Sequence, residues 1–257
     1  MDIENQENFM NEEGKVAFIT GANRGLGFET ARELGEKGIT VILGSRDKAK
    51  GEAAAEKLKA KGITAIAFPF DINQFSDHQA IYKYIETHFG KLDILVNNAG
   101  IWLESKDIHG ANQTSAISQE VLRKTFDANF FNLVALTQTL LPLLKKASAG
   151  RIVNLSSILG SLTLHSDPSS PIYDFKAFAY NASKTALNAF TVHLAHELKG
   201  TKIKVNSAHP GWVKTDMGGE AAPMEVSEGG KTSAQLALLL ENGPTGQFIH
   251  LGEALPW

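Results

Sequence analysis

The sequence predicts an α/β protein: a mainly parallel sheet of seven strands, doubly wound with helices on both faces. Three observations point there. Short apolar runs recur along the chain, stretches of helical composition follow most of them, and the first such joint is rich in glycine. A run of five or six apolar residues suits a strand buried on both faces, as in a parallel sheet. Strands alternating with helices then require right-handed crossovers that lay the helices over the sheet.

Residues 15–20 (KVAFIT) form the first strand, and Gly21, Gly25 and Gly27 follow before a helix over 28–37. Strand, glycine-rich turn and helix make a phosphate-binding arrangement of the Rossmann type. The turn lets backbone approach a pyrophosphate, and the helix N-terminus offers N–H donors. Further strands are expected at 39–44, 64–70 and 92–97, with helices at 49–61 and 79–89 between them. A polar stretch, 104–118, precedes helical sequence from 119 to about 146, which Pro142 should bend or interrupt. Strands are expected at 151–155, 202–208 and 246–251, and a long helix from Tyr180 to about Leu198. Residues 160–179 and 215–230 are less regular and follow strand ends. They are candidate pocket walls or plain surface loops. No repeat or linker divides the chain, so residues 15–257 read as one domain, and the polar, acidic 1–14 as a frayed tail.

A formal net charge of -3 argues against a nucleic-acid surface or a polybasic membrane patch. No apolar run is long enough to span a membrane, and the first residues lack the basic start and apolar run of a secretory signal. The absence of cysteine excludes disulfides, thiolate zinc sites and a cysteine nucleophile, and fits a reducing cytoplasm. His193 and His196 stand three apart on a helix, but no third ligand arrives at metal spacing, so no metal site is expected. The expected partner is a small molecule.

Chemistry enters at Tyr180 and Lys184. Four apart on a helix, they point the same way. An ammonium beside a phenol favours the phenolate and lowers a pKa that is ordinarily about 10, so the pair can exchange a proton with an alcohol or carbonyl. Such pairs also occur by chance on many helices. Tyr173 is a rival, but the residue four positions on is Ala177.

Five motifs fall in order on these elements: Thr20-Gly21-Ala22-Asn23-Arg24-Gly25-Leu26-Gly27, Asn97-Asn98-Ala99-Gly100, Ser156-Ser157, Tyr180-x-x-x-Lys184, and Pro210-Gly211. Together they resemble the short-chain dehydrogenase/reductase family, in its compact single-domain branch, over about residues 15–257. The resemblance implies that Tyr180 is the general acid/base and that Lys184 supports it and bonds the nicotinamide ribose. It implies that Ser157 holds the substrate oxygen and that Asn129 supports a proton-relay water. Otherwise Ser157 caps a strand end and Asn129 is a helix-interior amide. Gly21, Asn23, Arg24, Gly25, Leu26 and Gly27 would face the cofactor, Asp71 and Ile72 its adenine, and Asn97, Asn98, Ala99 and Gly100 the ribose and central sheet. Pro210, Gly211 and Val213 would line it further, with Thr215 near the carboxamide or phosphate.

The cofactor implied is NADPH/NADP+ rather than NAD. NAD-preferring folds tend to place an acid at the end of the second strand, where this chain has Ser45 followed by Arg46. A guanidinium suits a 2′-phosphate, and Arg24 could add a second charge. Asp47 complicates the argument, and both arginines could instead be solvated surface charges. Residues 210–217 (PGWVKTDM), 243–246 (GPTG) and 255–257 (LPW) are most similar to carbonyl-reductase-like members. By that resemblance Trp212 faces the substrate pocket, Trp102 is a second candidate, and either could be core. Relative to the family's usual spacing, an insertion lies within 161–179, holding Pro168, Pro171, Tyr173, Phe175 and Phe178. It could be a substrate lid or cover a helix face used for subunit contacts, which leaves monomer and homo-oligomer open. The expectation is an NADPH-dependent reductase of an apolar aldehyde, ketone or quinone, reversible as an alcohol dehydrogenase. The alternatives are an NADP(H)-binding sensor or scaffold without turnover, or a lipid or sugar oxidoreductase.

Overall fold

Apolar side chains that alternate to both faces of a strand need cover on both, and the chain supplies it in two layers of helices. The structure, a computed structural model, describes residues 14–105 and 112–257. Residues 1–13 of the expected tail at 1–14, and 106–111 of the polar stretch, lie outside the described residues. The strands are Val16–Thr20 (β1), Thr40–Ser45 (β2), Ala65–Pro69 (β3), Ile94–Asn97 (β4), Arg151–Leu155 (β5), Lys204–Ala208 (β6), Phe248–His250 (β7) and Glu253–Ala254 (β8). They run in the order β3-β2-β1-β4-β5-β6-β7-β8. The first seven are parallel, as expected; β8 is antiparallel to β7, pairing Ala254 with Ile249. This eighth strand is a correction to the expected seven. Two residues are too few to leave a pattern.

The helices are Gly25–Gly35 (α1), Lys48–Lys59 (α2), Phe75–Phe89 (α3), Gln119–Phe126 (α4), Asn132–Leu144 (α5), Leu162–Ser166 (α6), Phe178–Glu197 (α7) and Val226–Ala237 (α8). Alternation along β1 divides the core: Ala17 and Ile19 pack with α1, α2 and α8, while Val16 and Phe18 pack with α3, α5 and α7. From β1 the sheet grows one way to β2 and the other to β4. Such a reversal opens a crevice beyond the carboxyl ends of both strands, where Gly21 and Asn98 stand.

Two expectations need correction. The break in the 119–146 helix falls at Asp127–Phe131, a turn of π-helix, and not at Pro142. The chain stays helical through Pro142 to Leu144, whereas the wider turn carries Ala128 and Asn129 inward. Residues 215–230 are irregular only as far as Glu225. There α8 begins, with a reciprocal capping box between Glu225 and Glu228. A glutamate cap and the weak helix formers Gly229 and Gly230 hid it.

Candidate active site

At the crevice, β1 and β4 are stitched together by side chains. The Thr20 hydroxyl accepts from the N–H groups of Asn98 (3.0 Å) and Ala99 (2.9 Å). Asn98 Nδ2 donates back to the carbonyls of Thr20 (2.7 Å) and Gly21 (3.2 Å). Gly25 has φ +57°, in the left-handed region. A Cβ at Gly27 would lie 2.5 Å from Asn98 Nδ2 and 2.8 Å from the Gly21 carbonyl. Only glycine fits there. Arg24, extended at the N-cap of α1, gives that helix end no side-chain hydrogen bond. A backbone-walled cradle facing first-turn N–H groups without a side-chain cap fits a pyrophosphate.

The other residues expected to face the cofactor lie at or just after the carboxyl ends of β2, β3 and β6. Ser45 is buried and its hydroxyl donates to the Asp47 carbonyl (2.8 Å), while Arg46 is exposed. The Asp47 carboxylate accepts from the Lys50 N–H (3.0 Å) at the start of α2, a bond that lowers its pKa. Asp71 accepts from the Asn73 N–H (3.0 Å), and the carbonyl of buried Ile72 accepts from His78 Nε2 (2.8 Å). After β6, Val213 is buried and forms a bridge with Met224, and Thr215 Oγ1 accepts from the Gly218 N–H (3.0 Å). This segment reaches the glycine turn twice, through an Arg24–Asp216 ion pair and through Thr215, whose Cγ2 lies 3.9 Å from a Cβ placed at Gly25. Asn97 corrects the expectation of a ribose-side contact. Its Nδ2 donates to Thr137 (3.0 Å) and Asn154 (2.8 Å), because alternation along β4 turns it into the core.

Beyond Asn97, Gly100 is the passage to the reactive groups: a Cβ there would lie 3.4 Å from Asn129 Oδ1 and 3.6 Å from Lys184 Nζ. Asn129 is fully buried and holds Ile101 by both backbone groups, accepting from its N–H (2.8 Å) and donating to its carbonyl (3.0 Å). Its Nδ2 also donates to Ser183 Oγ (3.1 Å), which donates to the Tyr180 carbonyl (2.7 Å). Lys184 Nζ donates to the Leu155 carbonyl (2.7 Å) and lies 5.6 Å from the centre of the Tyr180 ring. The Ser157 hydroxyl faces the Tyr180 phenol and works to lower its pKa. It also accepts from the Leu159 N–H (3.2 Å), and the next N–H, of Ile158, donates to His209 Nδ1 (3.2 Å).

Ionisation here departs from expectation. Burial pushes the Tyr180 phenol up to about 12, against the influence of Ser157, rather than the ammonium drawing it below 10. The same burial pulls Lys184 down to about 8. Desolvation wins because it penalises the charge on either group. Of the two tryptophans, Trp102 touches the phenol, ring centres 4.6 Å apart. Trp212 is half exposed, its indole N–H donating to the Gly218 carbonyl (2.8 Å). The 161–179 insertion is ordered around α6: His165 Nε2 is bonded to the Leu159 carbonyl (3.0 Å), and Thr163 N–H donates to the Trp257 carbonyl (2.9 Å).

Comparison with known proteins settles the family. The short chain dehydrogenase family profile matches residues 15–226. The chain belongs to the short-chain dehydrogenase family. It is an oxidoreductase of that family, related to carbonyl reductases and plant reductases. "Carbonyl reductase [NADPH] 1" of Mus musculus is 32% identical over 96% of this chain and 100% of its own. Salutaridine reductase of Papaver somniferum is 31% identical over 93% and 95%. Among solved structures, carbonyl reductase Sniffer of D. melanogaster superposes with a TM-score of 0.80 at 31% identity, covering 95% of this chain and all of the other.

Against that family pattern, one residue near the phenol escaped the sequence reading. The Glu104 carboxylate accepts from the N–H groups of Ala179 (3.1 Å) and Tyr180 (2.8 Å). No local pattern could have found it, since 75 residues separate it from Ala179. His209 directly follows β6 and is buried. Burial and the His250 ring 4.8 Å away pull its pKa down to about 3, so it stays neutral and accepts from Ile158.

Proposed function

We propose that residues 15–257 act as one oxidoreductase domain, an NADPH-dependent carbonyl reductase of this family that reduces an apolar aldehyde, ketone or quinone and runs in reverse as an alcohol dehydrogenase. The observation that carries this reading is the meeting of the Ser157 hydroxyl, the Tyr180 phenol and the Lys184 ammonium at the crevice. NADPH, when bound, supplies the hydride.

This chain's own residues handle the oxygen and the proton. As the carbonyl carbon gains electrons its oxygen becomes an alkoxide, and hydroxyl donors from Ser157 and Tyr180 stabilise that charge. Tyr180 then passes its proton to the oxygen. A phenol pushed up to about 12 is fully protonated near neutrality, the state that this direction requires. The phenolate left behind faces Lys184, whose charge it favours. Asn129, locked to Ile101 and Ser183, keeps the Tyr180 carbonyl and the Gly100 passage in place.

NADPH is favoured over NADH by the second strand's end. No carboxylate stands ready for a ribose 2′-hydroxyl: Ser45 is turned inward and Asp47 is bonded to the α2 N-terminus, leaving Arg46 exposed. The relatives named for NADPH agree with this choice. The test is a panel of aldehydes, ketones and quinones offered with NADPH and with NADH. NADPH consumption on part of the panel is the expected result. Tight NADPH binding with no consumption on any member would favour a sensor of the cofactor instead.

A further inference from the structure

Glu104 has no part in the reaction as written, yet it occupies a demanding position. The N-cap residue of α7 is Ala177, which has no side-chain acceptor. Helix first-turn N–H groups need partners when buried. They find one in Glu104, one carboxylate oxygen on Ala179 and the other on Tyr180. The segment that carries Glu104 is itself fastened. Trp102 Nε1 donates to the Glu104 carbonyl (3.1 Å), and Ser105 and Asn112 exchange two bonds of 3.1 and 2.9 Å. Because the Trp102 ring also lies against Tyr180, residues 102–104 hold that tyrosine by its backbone and by its ring.

We propose that Glu104 is a positioning residue for Tyr180, fixing the phenol in place and, through its charge at the α7 N-terminus, delaying the phenol's ionisation. The inference rests on the reading of Tyr180 as the proton donor. A helix N-terminus carries about half a positive charge, which favours an anion in the first turn. Tyr180 is the third residue of α7. A carboxylate seated on the same N–H groups cancels that field and keeps the phenol protonated. Among the described residues, the other groups facing Tyr180 are Lys184 on its own helix, the Ser157 hydroxyl after β5 and the Trp102 ring. On the insertion, Lys176 donates to the His165 carbonyl and His165 is bonded to the Leu159 carbonyl; behind the Ser157 loop, His209 is neutral.

Glu104→Gln removes the charge and keeps the shape. The phenolate ultraviolet band, titrated on free and NADP+-bound protein and corrected with Tyr180→Phe, should show the Tyr180 midpoint lowered by about half a pH unit. Leu103→Ala, at an exposed neighbour, should leave it unchanged. A folded Glu104→Gln protein whose midpoint stays at the wild-type value overturns the proposal. The unaltered protein gives a second reading that does not depend on the variant's folding. In a nitrogen-labelled sample, the amide resonances of Ala179 and Tyr180 should move together as the Glu104 carboxylate is protonated in acid, and immobility of both would equally refute it. Neither readout needs turnover, so a failure to reduce any carbonyl is seen separately.

Discussion

The two ends of the crevice are built on different principles. At the glycine turn, neutral contacts join neighbours in the sheet: Thr20 and Asn98 end adjacent strands and bond each other's backbone, and the Arg24–Asp216 ion pair lies outside them at the exposed surface. Around Tyr180 the contacts come from distant parts of the chain and from ionisable groups: half-buried Glu104, and buried Lys184 and His209. The first end holds its shape by backbone geometry, and the second by side chains whose charge states matter. A rigid cradle and an electrically tuned acid thus share one crevice.

The sharpest way to separate the two ends is Tyr180→Phe. Turnover should fall by about 10²–10⁴-fold while the NADPH dissociation constant is unchanged, and a parallel loss of binding would mean that the ends are not independent. Gly27→Ala attacks the other side. Its Cβ would press on Asn98 Nδ2, so denaturant titration should show a loss of about 1–3 kcal/mol, with NADPH binding lost as well.

Acid tests the electrical end. His209 has a folded pKa of about 3 against the ordinary 6.5, so between those values the unfolded chain binds the extra proton and stability falls as pH drops. From pH 6.5 to 5 the loss should be about 2 kcal/mol. Denaturant midpoints should show it in the wild type and much less of it in His209→Gln, which keeps an acceptor for Ile158. Equal slopes would remove His209 from the account. The smallest expected effect is at Arg46→Ala, roughly tenfold weaker NADPH binding with NADH little changed, measured by titration of each nucleotide.

This division also explains what could be read from the sequence. The parallel strands and the glycine turn were legible because burial on two faces and left-handed φ values leave local marks; residues 151–155 are β5 as expected. Tyr180 and Lys184 were legible through their helical spacing. The π-turn at Asp127–Phe131 was not, since Asn129 turns inward by bonding Ile101, a partner 28 positions away. Glu104 was invisible for the same reason. At Tyr180, helical spacing reveals a neighbouring ammonium but not the desolvation that outweighs it.

One small feature bears on how copies of the chain can meet. A strand at a sheet's margin offers a row of unpaired amides to any other chain. On the side of β7 that row is filled by β8 and by the Leu255 N–H on the Phe248 carbonyl (2.8 Å). What faces outward is then only two residues long, exposed, and led by the acidic Glu253. The sheet is blunted there against edge-to-edge growth into a continuous ribbon, and any association of copies on that side must use side chains rather than shared backbone pairing.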